Sequence, residues 1–363
     1  MNMRTVGVGI IGLGWMGRLH AKTIGAMQEA ELVAVCDSEA GAVEALAGAS
    51  GARGYTDYRE LLLDEAVEAV IVALPPYLNL EVVREAVSRG VHILCEKPIA
   101  HDLNDAYAIR ELAEGYDRKV MIGFTERFSI ANEDAQRIVR GGALGSVSFV
   151  RANCRWASKE KTFGTGGGHG TWLTDPSRGG GILTAVGIHY YDLVRWYTGA
   201  EFEEVYVVAQ RSAGLKLGAE EMMTLVGHLD NGAIVLFDLV TTLPKRSPSD
   251  RRLELVGTTG SIYVDQLQHF LMAVSEHGVE VTPGLLDDGL ALPESMYLSE
   301  AFGSVRRELE YFIGNCVLDG AEPHPSVEDG VRALEVAVAA VESWESGQPV
   351  ALGSSRAPTV RAR

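Results

Sequence analysis

The stretch TVGVGIIGLGWMGRLHAKTI, residues 5–24, constrains the fold more than any other part of the chain. An apolar run from Val6 to Ile11 leads into Gly12, Gly14 and Gly17, and helical periodicity follows, so the segment reads as strand, tight turn, helix. In such a unit the first glycine permits the turn, the second lets a pyrophosphate approach the backbone, and the third lets helix pack closely on strand. The helix N-terminus, beginning at Trp15 and Met16, supplies the N–H groups and the positive dipole end that hold phosphates. A second apolar run, ELVAVCD, ends at Asp37, twenty residues past Gly17, the offset expected of the carboxylate that binds the adenosine ribose hydroxyls. Ser38, Glu39 and Ala40 follow it and bring no Arg or Lys to receive a 2'-phosphate, which favours NAD over NADP.

The alternation continues with a helix over 40–49, a strand over 69–74, a helix over 80–89, the strand VHILCEK, a helix over 103–114 and the strand VMIGF. Strands alternating with helices imply right-handed crossovers and a parallel sheet covered on both faces. Ligands of such sheets bind outside the carboxyl ends of the strands, where Leu74 ends one strand, Pro75, Pro76 and Asn79 follow it, and Glu96 and Lys97 close the next. After residue 145 the pattern changes to β-rich, turn-punctuated segments such as EVYVVAQ, MMTLVGHL and SIYVD, several alternating with period two. Helical patterns return at 301–317 and 327–346. A chain of 363 residues is long enough for two domains. The expected boundaries are a dinucleotide-binding domain over 1–124, a second domain over 125–352, and a polar tail at 353–363 that is expected to be flexible.

The formal net charge of −17, from 49 acidic and 32 basic residues, argues against nucleic-acid or anionic-membrane partners, both of which need a basic footprint. No apolar run approaches the ~20 residues needed to span a bilayer, and the first residues pass straight into the glycine-rich turn, so a cytoplasmic protein is expected. Cys36, Cys95, Cys154 and Cys316 are widely spaced with no CxxC pair, which points to structural thiols. The HYYD, HPSVED and GGGHG stretches do not converge into the ligand set zinc requires, so no metal is expected.

At CEKPIA the chain resembles the glucose-fructose oxidoreductase/inositol dehydrogenase/MocA family of NAD(P)-dependent enzymes, and the supporting motifs run along most of its length: GLGWMG, LPPYLN, GFTERF at 123–128, GGGxLxxxGxHxxD at 179–192 and GTTGSIYVD at 257–265. The resemblance implies an α/β chain with an N-terminal Rossmann doubly wound parallel sheet. A C-terminal α+β domain would follow, built on a large, mostly antiparallel, open-faced sheet that commonly assembles homodimers or homotetramers. It also implies that Lys97 reaches the nicotinamide ribose and the substrate hydroxyl, and that His189 takes the proton as hydride leaves the substrate. An ammonium facing an alkoxide and an imidazole titrating near neutral pH suit those roles.

If 179–196 is one helix, Ala185, His189 and Asp192 share a face at i, i+4 and i+7. Many family members carry an aspartate four residues before the histidine, where this chain has Ala185. Three readings follow: Lys97 and His189 suffice, Glu126 or Asp175 substitutes for the aspartate, or the chain binds NAD without turning it over. Asp192 could bind a substrate hydroxyl or tie its helix to a neighbour. The stretch 162–181 carries two glycine runs and reads as a mobile loop over substrate, punctuated by His169, Trp172 and Asp175; Trp172 could stack on a sugar ring or anchor the loop. Arg127 matches the family's arginine near the nicotinamide and could equally be a structural ion pair. The expected function is an NAD-dependent dehydrogenase interconverting a secondary hydroxyl and a ketone on a sugar, sugar derivative or cyclitol. A redox-neutral NAD-requiring glycoside-cleaving enzyme is the variant within that class.

Overall fold

In a computed structural model the chain forms two compact units; the structure describes residues 4–155, 172–173, 175–210, 221–244, 246–268, 270–276, 278–282 and 303–353. The proposed tail beyond 353, His169 and the first half of the glycine-rich loop lie outside these residues.

The first unit takes in residues 4–128 and 303–331. Its elements alternate as the sequence pattern requires: β1 (Val6–Ile11), α1 (Trp15–Ile24), β2 (Ala30–Cys36), α2 (Ala40–Ser50), β3 (Arg53–Tyr55), α3 (Tyr58–Leu62), β4 (Ala69–Val72), α4 (Asn79–Arg89), β5 (His92–Glu96), α5 (Leu103–Ala113) and β6 (Val120–Gly123). All pairs are parallel in the order β3-β2-β1-β4-β5-β6, the doubly wound dinucleotide topology, and β1, β4 and β6 are buried along their whole length. The short pieces β3 and α3 carry too few residues to show a period and were not legible in the sequence.

The glycines of the first turn are fixed by contact. Gly12 has φ +97°, and a Cβ there would sit 2.4 Å from the Ala73 carbonyl oxygen; one at Gly17 would sit 1.8 Å from the Gly12 carbonyl oxygen. α1 can therefore lie on β1 only while position 17 has no side chain.

Residues 303–310 are helical and continue into a wider-turned stretch, Tyr311–Leu318, closed by an Asp319 N–H bond to the Gly314 carbonyl. Val305, Leu309, Phe312, Ile313 and Cys316 enter the same core as Val6, Val8, Ile10 and Leu19. The chain thus returns to the first unit late in its sequence, at 303–331.

The second unit includes α6 (Ile130–Arg140), β7 (Val147–Arg155), α7 (Ile182–Ala185), α8 (Gly187–Thr198), β8 (Phe202–Gln210), β9 (Met222–Leu229), β10 (Ile234–Val240), β11 (Asp250–Gly257), β12 (Gly260–Asp265), β13 (Phe270–Ser275), β14 (Gly278–Thr282) and β15 (Val350–Ala351). Among the described residues its sheet has nine strands in the order β14-β13-β12-β11-β7-β10-β9-β8-β15, antiparallel except for β7 with β10. Period-two alternation puts Val150, Leu225, Phe237, Leu255, Val264 and Leu271 on the buried face. α6 and α8 pack against that face, joined by the Tyr197 hydroxyl donating to Asn132 Oδ1 at 2.7 Å.

Gly17→Ala is expected to cost about 1–3 kcal/mol, because backbone must move to admit one methyl. Gly41→Ala, in α2 with nothing within 4 Å of the new atom, is expected to gain about 0.5–1 kcal/mol by relieving a helical glycine. Denaturant melts of both variants check the contrast.

Candidate functional site

At the carboxyl edge of the parallel sheet the first unit assembles its chemistry. The Asp37 carboxylate closes the glycine turn, accepting the Leu13 N–H at 2.7 Å on Oδ2 and the Glu39 N–H at 3.0 Å on Oδ1. Gly12, Gly14, Met16 and Gly17 surround the start of α1, Trp15 stands exposed on it, and Leu74 Cδ2 would lie 3.0 Å from a Cβ on Gly12. Ser38 is exposed beside Asp37, and Pro75 is half-buried at the end of the β4 turn. The backbone N–H groups at the α1 terminus, an oriented carboxylate at the end of β2 and the side-chain-free approach at Gly12 fit a dinucleotide.

Glu96 ends β5 almost wholly buried, with Oε1 2.7 Å from Nε2 of the fully buried His20 on α1. Gly123 leaves the space its carboxylate occupies: a Cβ there would be 3.0 Å from Glu96 Oε2. Lys97 follows, and its Lys97–Pro98 peptide is cis. Burial pushes the Lys97 ammonium below the usual lysine range, while the charges of Glu96 and Glu126 oppose that shift. Glu126 thus acts electrostatically on Lys97, whatever it does toward a substrate. Asn79 is fully buried, and its Nδ2 donates to the Pro98 and Ile99 carbonyls at 3.1 and 3.2 Å, which ties the turn after β4 to the turn after β5.

Arg127 is 2% exposed and donates from Nη2 to Asp329 Oδ1 at 2.9 Å, with Nη1 3.2 Å from His324 Nε2. Both partners belong to the late segment of the same unit, so the ion-pair reading of Arg127 has a concrete partner that its local sequence could not name. Burial would raise the Asp329 carboxyl, but the Arg127 charge and hydrogen bond, with the Ser326 N–H and hydroxyl, hold it down at about 2.

In the second unit the expected single helix over 179–196 is two. Gly181, at φ +99°, starts α7, which ends at Ala185; Val186, still right-handed but widened to φ −115°, forms a one-residue turn, and α8 begins at Gly187. His189 and Asp192 share α8 at i and i+3, but Ala185 belongs to the preceding helix, so the three-residue face read from spacing does not exist as one helical stripe. Gly187 leaves room for the Tyr191 side chain: a Cβ there would lie 2.6 Å from the Tyr191 hydroxyl. Tyr190 stacks on Phe237 at 4.6 Å between centroids and donates to Gln266 Oε1 at 3.0 Å, which anchors α8 while His189 is half-buried. Asp192 is 1% exposed, 4.0 Å from Arg195, which also grips Glu201 through two bonds of 2.6 and 2.7 Å. Trp172 is half-buried. Asp175 organises its own turn: Oδ1 accepts the Ser177 hydroxyl at 2.6 Å and N–H at 3.0 Å, the Ser177 hydroxyl chiefly lowering the carboxyl from its ordinary value.

A doubly wound sheet with this turn and carboxylate defines a nicotinamide-dinucleotide oxidoreductase. The chain belongs to the GFO_IDH_MocA oxidoreductase family: residues 6–124 match its NAD-binding Rossmann fold and 136–352 its C-terminal alpha/beta domain. It is similar to an inositol 2-dehydrogenase of Rubrobacter xylanophilus, 28% identical across 99% of this chain and 96% of that protein. It is also similar to a glucose-6-phosphate 3-dehydrogenase of Bacillus subtilis, at 27% identity across 96% of this chain and 99% of the other. Among solved structures, a putative myo-inositol dehydrogenase of Sinorhizobium meliloti aligns with a TM-score of 0.79 at 25% identity, covering 96% of this chain and all of that one. The cofactor domain is thus an NAD-binding one, and no helix of the described residues is long and apolar enough to cross a membrane.

Because the folded Asp329 value lies below the ordinary 3.8, the Arg127 pair contributes stability that is fully present above about pH 4 and is lost as pH falls toward 2. The contribution is roughly 2 kcal/mol. Asp329→Asn is expected to flatten that acid limb in stability measured by denaturant unfolding at successive pH values, and to lower stability at neutral pH.

Proposed function

We propose that the chain is an NAD-dependent dehydrogenase that interconverts a secondary hydroxyl and a ketone on a cyclitol or sugar, with Lys97 and His189 as its catalytic residues. The observation that carries the reading is Lys97 itself, held at the carboxyl end of β5 between burial and two carboxylates, on the same sheet edge as Gly12 and Asp37. Near-full-length similarity to proteins named inositol 2-dehydrogenase and glucose-6-phosphate 3-dehydrogenase supports the substrate class, and favours net oxidation over a redox-neutral or non-catalytic chain.

Gly12, Gly14, Trp15, Met16, Gly17, Asp37, Ser38, Leu74, Pro75, Asn79, Glu96 and Lys97 form or support the cofactor site. NAD, when bound, accepts the hydride. The Lys97 ammonium stabilises the negative charge that grows on the substrate oxygen, and His189 takes the hydroxyl proton. Asp192, Trp172 and Asp175 are assigned to the substrate side, while Arg127 supports that side through its buried pair. An alanine at 185 removes a carboxylate without removing either proton-handling group.

The outward face of the nine-stranded sheet supports a homo-oligomer whose partner is a second copy of this chain. One register row runs Tyr206, Val226, Leu236, Arg151, Glu254, Tyr263, Met272, Val281, apolar on both flanks of a central charge pair. Val208, Val256, Val274 and Val279 stand exposed on the same face. A row with this near-symmetric order suits a two-fold contact.

Purified chain supplied with NAD and a panel of inositols, sugars and sugar phosphates is expected to generate reduced nicotinamide, read by its near-ultraviolet absorbance. Lys97→Ala and His189→Ala should each lower kcat/KM on the order of 10²–10⁴-fold while folding normally. A panel that yields no reduced cofactor from a chain that binds NAD tightly sinks the dehydrogenase reading. In light scattering after size exclusion the wild type should run as a multiple of the chain mass, and Val226→Glu with Met272→Glu should shift it toward the monomer.

A further inference from the structure

Glu96, the residue before Lys97, belongs to a buried cluster whose other members the proposed reaction does not use. His20 of α1, Glu96 of β5 and Glu308 of the 303–310 helix each bring one nitrogen or oxygen within 4.8 Å of the others, and all three residues are buried. His20 and Glu308 are 0% exposed. The three positions are distant in sequence, and the fold of one unit brings them together.

The partners divide unequally. Glu96 has the short contact to His20 Nε2, at 2.7 Å, and is followed directly by Lys97. Among the described residues, the hydrogen-bond partner of the Glu308 carboxyl is the Thr125 hydroxyl, 3.3 Å from each carboxyl oxygen. A hydroxyl has one proton to donate, so it cannot satisfy both oxygens of an ionised carboxylate, whereas a neutral acid carries a donor of its own. Two ionised carboxylates this close and this dry repel each other, and one of them keeps a proton. Burial and the Glu96 charge both push the Glu308 carboxyl well above the ordinary range.

We propose that Glu308 is held as a neutral carboxylic acid, which leaves Glu96 as the single negative charge of the buried cluster and so as the carboxylate of that cluster that sets the charge on Lys97. The functional half of this inference rests on the catalytic reading of Lys97. Among the described residues, the charged and titratable groups that act on these include His20 from α1, Cys95 and Glu96 from β5, and Glu126 beside Thr125. Burial and the Glu96 charge keep the Cys95 thiol protonated. Lys97 is thus balanced between its burial and the carboxylates of Glu96 and Glu126; a second buried anion at Glu308 would tip it toward a fixed charge.

Three measurements decide it, two of them independent of catalysis. Infrared spectra of the wild type near neutral pH should contain a carboxylic-acid C=O stretch, above the amide and carboxylate bands, that Glu308→Gln removes. Glu308→Gln, an isostere of the neutral acid, should fold. Because a raised carboxyl value means stability lost as pH rises from the unfolded value toward the folded one, the variant should gain on the wild type over that window, about tenfold in folding equilibrium per pH unit. In the kinetic arm, Glu96→Gln should move the alkaline limb of kcat/KM about one pH unit lower, and Glu308→Gln should leave it in place. Absence of the acid band, a Glu308→Gln chain that is unfolded or less stable at neutral pH, or equal limb shifts in the two variants overturns the proposal. So does a stoichiometric metal retained by the wild type and lost in Glu308→Gln, since ligation requires the carboxylates ionised. If the chain shows no dehydrogenase activity, the infrared and stability arms still decide the state of Glu308.

Discussion

The first unit is organised around the burial of one carboxylate. Taking the charge of Glu96 out of water costs several kcal/mol unless partners are built in advance, and the structure builds them from three directions. His20 meets one oxygen, Gly123 leaves the room that the other occupies, and the late helix lays Glu308 alongside. His20 lies on α1, the helix whose N-terminus closes the glycine turn, and Glu96 is the residue before Lys97. A single hydrogen bond therefore joins the element that approaches phosphates to the element that carries the lysine, so the two cannot shift independently. Asn79 repeats the device on the other side, fixing the turn after β4 to the backbone after Lys97.

The sequence made this half of the molecule readable because local rules and global fold agree there. A buried parallel strand is a short apolar run, a glycine turn has its own spacing, and Asp37 falls at a set distance from Gly17. What could not be read were pairings across long separations. Periodicity marks residues 303–318 as helical and shows that one face is apolar, but it does not say which core receives that face; Leu309 and Phe312 go to the N-terminal sheet. Glu308, Asp329 and His324 were invisible as partners of Glu96 and Arg127 for the same reason. The helix at 130–140 has a one-sided apolar pattern but no flanking strand alternation to announce it, and the break at Val186 is hidden because Ala185, His189 and Asp192 keep helical spacing across it.

In the second unit the legible feature was alternation. Phe237, Leu255 and Leu271 face inward on strands whose intervening residues face out, and register then fixes which outward residues become neighbours. Among the described residues, a sheet of this width that shows water valines on β8, β9, β11, β13 and β14 has a surplus of apolar surface on one face. Strand pattern predicted such a face; only the register shows that its apolar residues form continuous rows.

Ala185 can now be weighed by its surroundings. α7 is buried throughout, with Ile182, Leu183 and Ala185 all in the core, and Ala185 is only 3% exposed. A carboxylate at that position would be desolvated and would require a cation or a set of donors to hold it charged. Asp192, also buried, has Arg195 at 4.0 Å, but that guanidinium is at the same time engaged bidentately with Glu201. Arg195 is thus committed to acids the unit already holds. An apolar residue at 185 avoids a further buried charge; in the proposed mechanism proton transfer then falls to the imidazole of His189, whose neutral form needs no counter-ion. Loss of the family's aspartate is in this way consistent with retained dehydrogenase chemistry, because what it removes is a charge to be compensated and the lysine and histidine remain.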